Sequence, residues 1–287
     1  MSWRTIVISN RAKLELKLGY MVVRQESVTK VHLSEIGILI VESTGVSITT
    51  SLMCELIKRK VKVIFCDEKR TPISELLPYY GSHDTSAKIR QQVKWSKKIK
   101  SEVWTLIVKE KIRQQSRLLK ALEHSEYLML EQYISEVADG DSSNREGHAA
   151  KVYFNSIFGM EFSRGLENPI NAALNYGYAV LLSSFNREIA ANGYLTQIGI
   201  FHDNIFNPYN LASDLMEPFR PIVDQQVLTM EMEDFGTEEK HAILEFLNQS
   251  VTIDNARHTV LNAIRIYTKG IVDALADEDP EKIRFYD

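Results

Sequence analysis

The chain changes its hydrophobic period once, and that change limits the folds open to it. Up to about residue 75 the apolar residues come in short runs: Thr5 to Ser9, Leu14 to Leu18, Tyr20 to Arg24, Lys30 to Leu33 and Ile36 to Val41. Several alternate apolar with polar, which is the mark of half-buried strands. Asn10-Arg11 and Leu18-Gly19 supply turns. Thr49 to Lys60 has helical spacing at Leu52, Met53, Leu56 and Ile57, and Lys62 to Cys66 reads as a buried strand. Between Glu68 and Ser86 the pattern breaks at Pro72, Pro78, Gly81 and a Ser-His-Asp-Thr-Ser cluster, which marks a boundary. From Thr85 the spacing is helical almost to the end. The expected fold class is α+β: a small N-terminal β-rich domain (1–75), a linker (76–86) and a larger all-α C-terminal domain (87–287).

Within the helical part, Ala87 to Leu122 carries apolar residues at three- and four-residue spacing, and its polar positions are basic. Among them are Lys88, Arg90, Lys94, Lys97, Lys98, Lys109, Lys111, Arg113 and Arg117, opposed only by Glu102 and Glu110. Such a run is either a solvated helix face or a surface that meets nucleic-acid phosphates. Helices are expected over Ser125 to Val137 and over Arg145 to Phe158, the latter capped by Asn144 or Ser143. Residues 170–191 form a long apolar helix broken at Gly177. Asn171, Asn175 and Tyr178 give it a polar side, which a core helix uses to satisfy its neighbours. Thr237 to Leu247 and Asp254 to Leu275 read as amphipathic helices, and the acidic tail Ala276 to Asp287 as loosely held.

The composition excludes several classes. No run of about 18 apolar residues is present, so no transmembrane helix is expected. The start, MSWRTIVISN, lacks the layout of a signal peptide. Cys54 and Cys66 are the only cysteines in 287 residues, which suits buried thiols in a reducing cytoplasm rather than a disulfide framework. The formal charge of −4 (34 Lys and Arg against 38 Asp and Glu) argues against a wholly basic nucleic-acid binder but leaves local patches open. No GxGxxG, P-loop or Cys/His zinc spacing occurs. Ser82-His83-Asp84 is no triad, because triads are assembled by the fold rather than by adjacency.

The chemistry concentrates between Gln197 and Asp224, where His202, Asp203, Asp214, Glu217 and Asp224 lie between apolar segments. Asp214 and Glu217 are three apart and share one face of a helix. With a histidine in the preceding loop they make a start for a divalent-metal site, and mainly oxygen donors suit magnesium or manganese. Equally, Asp214 caps a helix and Glu217 completes a capping box. His148, two residues from Glu146, points away from it and is a poor co-ligand, and His241 and His258 stand alone. What remains is Glu146, His202, Asp214 and Glu217 beside a basic segment. Metal, carboxylates and cations together suit phosphodiester chemistry.

Three segments then stand out in combination: SSNREGHAAKVYF (142–154), NPINAALNYGYAVL (168–181) and GIFHDNIFNPYNLASDLMEPFRPIVD (199–224). In order and spacing they resemble the CRISPR spacer-acquisition integrase family, and their wording is most similar to type II members. The resemblance covers essentially the whole chain. It implies an N-terminal β domain and a helical catalytic domain. It implies a metal site of Glu146, His202 and Glu217 with Asp214 in support, holding Mg2+ or Mn2+. Tyr153 and Asn175 match positions lining the same region. The implied reaction is insertion of short captured DNA duplexes into a CRISPR array, each 3′-hydroxyl attacking a phosphodiester at a repeat end. The implied partners are double-stranded DNA and a second copy of the chain. Two such homodimers would be bridged by a dimer of a small ferredoxin-like adaptation protein, with other adaptation proteins and the effector nuclease of the system as further partners and no membrane. Lys88, Arg90, Lys94, Lys97 and Lys98 become the leading phosphate contacts. Arg220 either approaches DNA or pairs with a neighbouring acid. The competing readings are a non-catalytic DNA-binding scaffold and a general metal-dependent nuclease.

Overall fold

The alternating segments of the N-terminal part become strands in the computed structural model, which describes residues 4–76, 82–230 and 232–287. In chain order they are β1 (Arg4–Ile8), β2 (Lys13–Lys17), β3 (Tyr20–Arg24), β4 (Val28–His32), β5 (Ile36–Val41), β6 (Ser47–Ile48), helix α1 (Thr50–Lys58), β7 (Lys62–Cys66) and β8 (Pro72–Leu76). One four-stranded sheet runs β1-β5-β7-β8, with β5 parallel to both neighbours and β8 antiparallel to β7. Every residue of β5 is buried, as its unbroken Ile-Gly-Ile-Leu-Ile-Val run requires of a central parallel strand. The other sheet runs β4-β3-β2-β6. Leu18 and Gly19 both take positive φ in the β2–β3 turn, which suits a two-residue hairpin. Leu14, Met21, Leu33, Leu39, Leu52, Leu56 and Val63 fill the core of this unit. β8 and its pairing with β7 fall in a stretch that the Pro and Gly signals suggested was irregular. Pro72 opens the strand, a position where its missing N–H is tolerated. The turn signals at Pro78 and Gly81 lie outside the described residues.

The chain divides into Met1–His83 and Asp84–Asp287. The second unit holds α2 (Thr85–Gln92), α3 (Lys97–Ala121), α4 (Tyr127–Glu136), α5 (Arg145–Phe158), α6 (Pro169–Ala191), α7 (Asn210–Leu215), α8 (Arg220–Leu228), α9 (Thr237–Leu244), β9 (Ser250–Ile253), β10 (Ala256–Thr259) and α10 (Val260–Asp277). The basic stretch is therefore two helices, not one. Ser96 takes extended backbone angles and its hydroxyl accepts from the Ile99 N–H, so α3 starts afresh there. The helix α6 is continuous through Gly177. A Cβ there would lie 2.4 Å from Val223 Cγ1, so the glycine marks a close helix approach rather than a break. Its polar side is used as a core helix uses it: Asn171 donates to the Ser163 and Leu166 carbonyls, each at 2.9 Å.

Two further expectations are corrected. The unit is not wholly α, because Asp254 and Asn255 adopt positive φ and join β9 to β10 as an antiparallel hairpin. The β-branched Val251-Thr252-Ile253 run before this Asp-Asn turn outweighs the helical spacing read from Asp254. α10 begins only at Val260, with Thr259 as its cap. Nor is the tail loose. Thr252 and Asp287 exchange both backbone hydrogen bonds, Tyr286 is buried, and its hydroxyl donates to the Pro218 carbonyl at 2.8 Å.

Candidate active site

α3 and α6, the two longest helices, carry much of the buried polar side chain of the second unit, and the acidic residues gather beside α3. Lys111 stands on its buried stripe with Trp104, Val108, Gln115 and Leu118. Its side chain is 9% exposed, and its ammonium lies 2.5 Å from Glu146 Oε1 and also donates to Glu217 Oε2. Glu146 comes from the first turn of α5, where Asn144 makes no side-chain cap. The cap is instead Asp141, whose two oxygens accept from the Arg145 N–H (2.8 Å) and the Glu146 N–H (3.1 Å). Glu217 opens a 3-10 turn, Glu217–Phe219, between α7 and α8. Its second oxygen, Oε1, accepts from Arg220 Nε at 2.9 Å, so Arg220 pairs with an acid. The Arg220 guanidinium also stands over the Tyr178 ring, 4.6 Å from its centroid. Burial opposes the charge on Glu217, yet Arg220 and Lys111 together hold its carboxyl down at about 2. Burial likewise opposes the Lys111 charge, and the attraction of Glu217 and Glu146 wins, leaving its pKa raised.

Asp214 does not cap a helix start. It lies inside α7 and is fully buried. Oδ2 accepts from the N–H groups of Ile200 (2.6 Å) and Phe201 (3.1 Å), while Oδ1 accepts from the His202 N–H (3.0 Å) and lies 2.6 Å from His202 Nδ1. One carboxylate thus shapes the loop and fixes the imidazole through Nδ1, so that Nε2 is the ring nitrogen it does not engage. Gly199 is required here, because a Cβ would lie 2.4 Å from the His202 carbonyl oxygen and 2.7 Å from Asp214 Oδ2. Trp104 stacks on Phe201 at 4.5 Å and meets His202 edge-on at 5.9 Å. The hydrogen bond to Asp214 raises the His202 pKa despite partial burial, with Glu217 and Glu146 adding their charges.

Glu146 and Glu217 therefore meet on one cation, and Asp214 and His202 meet each other. Among the described residues no three His, Cys, Asp or Glu stand close enough to form a ready metal cage. The donor types fit a hard divalent ion all the same. Two carboxylates already converge on a positive charge, and the His202 imidazole lies within their field, a third donor once it gives up its proton. Of the basic residues, Arg90, Lys94, Lys97 and Lys98 are exposed. Lys88 is half-buried, pairs with Asp84 at 3.1 Å and lies 5.9 Å from the Tyr194 ring centroid. The sequence counted Lys111 among the surface-type cations. The signal that sets it apart is its place in an apolar register.

Behind this layer, Asp224 is 1% exposed and accepts from the hydroxyls of Tyr153 (2.8 Å) and Tyr178. Burial pushes its carboxyl up to about 6, although both hydroxyls favour the charge. Because the folded pKa lies above the ordinary 3.8, this group's contribution to stability is full below about 4 and is lost as pH rises to about 6. Asp224→Asn removes that loss. In parallel urea melts the stability difference should move in favour of the variant between pH 4 and 6.5, by about 2–3 kcal/mol. A difference that stays constant with pH would mean that Asp224 is ionised at no cost.

The fold has solved counterparts. The structure of a casposase bound to integration product aligns with a TM-score of 0.78 at 19% identity, over 97% of this chain and 91% of that one. A Cas6-RT-Cas1–Cas2 complex aligns with a TM-score of 0.73 at 15% identity, over 98% of this chain and 36% of that chain. The class of fold is thus that of Cas1 proteins and casposases. Sequence then shows the family. The model of CRISPR associated protein Cas1 matches residues 5–263. The CRISPR-associated endonuclease Cas1 of Neisseria meningitidis serogroup C (strain 8013) is 32% identical over 292 residues, 99% of this chain and 96% of that protein. The chain belongs to the Cas1 family of CRISPR-associated endonucleases and integrases.

Proposed function

We propose that this protein inserts short DNA duplexes into a CRISPR array by metal-dependent transesterification. The observation that carries the reading is the convergence of Glu146 and Glu217 on one cation position, with the Asp214-anchored His202 in their field. The 3′-hydroxyl oxygen of the captured DNA attacks a phosphorus at the repeat end. A new P–O bond forms, the bond to the leaving 3′-oxygen breaks, the attacking hydroxyl gives up its proton and the leaving oxygen takes one. Glu146, His202 and Glu217 would hold Mg2+ or Mn2+, whose charge stabilises the attacking or leaving oxygen when bound. Asp214 keeps the imidazole oriented, and Arg220 keeps Glu217 ionised. The proposed assembly is a homodimer, two of which are bridged by a small partner of the Cas2 kind. The name of the Cas6-RT-Cas1–Cas2 complex supports such a partner, and the casposase's integration product supports joining over cleavage.

A strand-transfer assay tests this reading. Duplex with free 3′-hydroxyls, a supercoiled plasmid carrying a repeat array, the small partner and Mg2+ or Mn2+ should give joined product, which EDTA or a blocked 3′ end abolishes. Cleavage without joining would make the protein a nuclease that uses water. Metal-independent DNA binding with no product would make it a scaffold.

The exposed cations Arg90, Lys94, Lys97 and Lys98 are the proposed phosphate contacts. Replacing Lys94, Lys97 and Lys98 together by alanine should weaken duplex binding uniformly across sequences. It should also reduce the slope of log affinity against log salt by up to about 0.9 for each phosphate no longer neutralised. An unchanged slope in a fluorescence-anisotropy titration would place the phosphates against other residues.

A further inference from the structure

The ammonium of Lys111 lies where a metal shared by Glu146 and Glu217 would go. Glu217 has two oxygens, and Arg220 takes Oε1 at 2.9 Å. The oxygen that Arg220 does not take is Oε2, and that is the one Lys111 bonds. On the other side Lys111 lies 2.5 Å from Glu146 Oε1. The cluster is balanced as it stands, with two carboxylates against Lys111 and Arg220. A divalent ion entering beside an unmoved ammonium would set four positive charges against two negative ones in a largely buried space, and like charges at such range repel strongly. Lysine is suited to giving way, because its charge sits on a flexible four-carbon stem. The Glu146 side chain is 28% exposed against 6% for Glu217, so the way out lies on the Glu146 side.

We propose that Lys111 is an internal competitor for the divalent ion: it bridges Glu146 and Glu217 in the metal-free protein and leaves both when the ion binds. The inference rests on reading those two residues as metal ligands. Lys111 acts through them and is a positioning residue. In the absence of metal it keeps two acidic side chains of α5 and the α7–α8 turn together. Its displacement sets how readily metal loads.

The test is direct Mn2+ binding to the full-length protein without DNA, followed by the electron paramagnetic resonance of free Mn2+. Lys111→Met should bind Mn2+ at least about 10-fold more tightly than wild type, with a lower melting temperature in EDTA and a larger rise on adding Mn2+. Lys111→Gln, which keeps a hydrogen-bond donor without the charge, serves if the methionine variant does not fold. In wild type, the hydrogen-bonded Lys111 side-chain signal in 15N-lysine spectra should disappear on adding Mg2+. Unchanged or weaker Mn2+ affinity in both variants, or a Lys111 signal indifferent to bound Mg2+, would overturn the competition and leave the ligand reading standing. Mn2+ binding that Glu217→Gln does not weaken, or no Mn2+ binding at all, would overturn both.

Discussion

Glu217→Gln should lower strand joining by about 10³-fold or more while the protein stays folded. The amide has nearly the same shape, so packing around Pro218 and Phe219 is kept. What goes is the negative charge that faces Lys111 on one oxygen and Arg220 on the other. A ligand that holds a metal at the reacting oxygen is worth several kcal/mol of transition-state stabilisation, and about 4 kcal/mol is 10³-fold. The folded-state cost is about 3 kcal/mol, because Lys111 and Arg220 both lose the carboxylate whose charge they hold in a largely buried place. The variant should also differ from wild type in acid. The Glu217 carboxyl sits at about 2 in the folded protein, below its ordinary 4.5. It therefore contributes stability that is full above about 4.5 and is lost as pH falls towards 2. The variant lacks this contribution, so its melting temperature should approach that of wild type as the pH is lowered. The same preparation should go through the joining assay and the melts. Joined product within 10-fold of wild type would take Glu217 out of the chemistry.

Asp214→Asn should cost both stability and activity, although Asp214 is not among the three proposed ligands. Its two oxygens accept three backbone N–H bonds and face the His202 ring. An amide has one acceptor oxygen and one donor nitrogen, so at least one backbone N–H in a fully buried place must face an N–H. Each buried group left unsatisfied costs about 1–3 kcal/mol, and two such groups would lower stability by roughly 3 kcal/mol. His202 also loses the acceptor that fixes its ring, an effect that typically costs 10–100-fold where a metal ligand is held this way. Thermal melts and Mn2+ binding measured together would separate the two effects. Wild-type stability with normal Mn2+ affinity would show that the loop holds its shape without the carboxylate.

Much of the fold was legible because it rests on local periodicity. The strands from β1 to β5, α1 and β7 follow directly from alternation and apolar runs, and α5 and α6 lie within a residue of the spans read from spacing. What failed was read from spacing where turn chemistry decided. Ser96 restarts a helix in the middle of a basic run, and Asp254-Asn255 turns a hairpin where periodicity suggested one more helical turn. Asp141 is not legible as a cap because it lies four residues before Arg145, beyond the usual N-cap position, and reaches back through a positive-φ residue, Asn144. At the site, Glu146, His202, Asp214 and Glu217 were legible as residue types in recognisable wording. That two of them meet on Lys111 was not, because the contact joins residues 35 and 106 positions apart. Charge counting also treats a lysine on a buried stripe like any other. The tail deceives for a similar reason: its composition is that of a solvated end, and its partners, Thr252 and Pro218, are distant in sequence.

The tail contact has a consequence for the protein during its synthesis. Glu146 leaves the ribosome long before Glu217, and the carbonyl of Pro218, next to Glu217, takes its hydrogen bond from Tyr286, 68 residues later. A growing chain thus holds half of its acidic pair with neither the second carboxylate nor the tyrosine that braces the turn beside it. Contacts this far apart in sequence close late in folding. The acidic pair is thereby incomplete in the growing chain until Glu217 has emerged, and the turn that carries Glu217 gains this brace only when Tyr286 has docked.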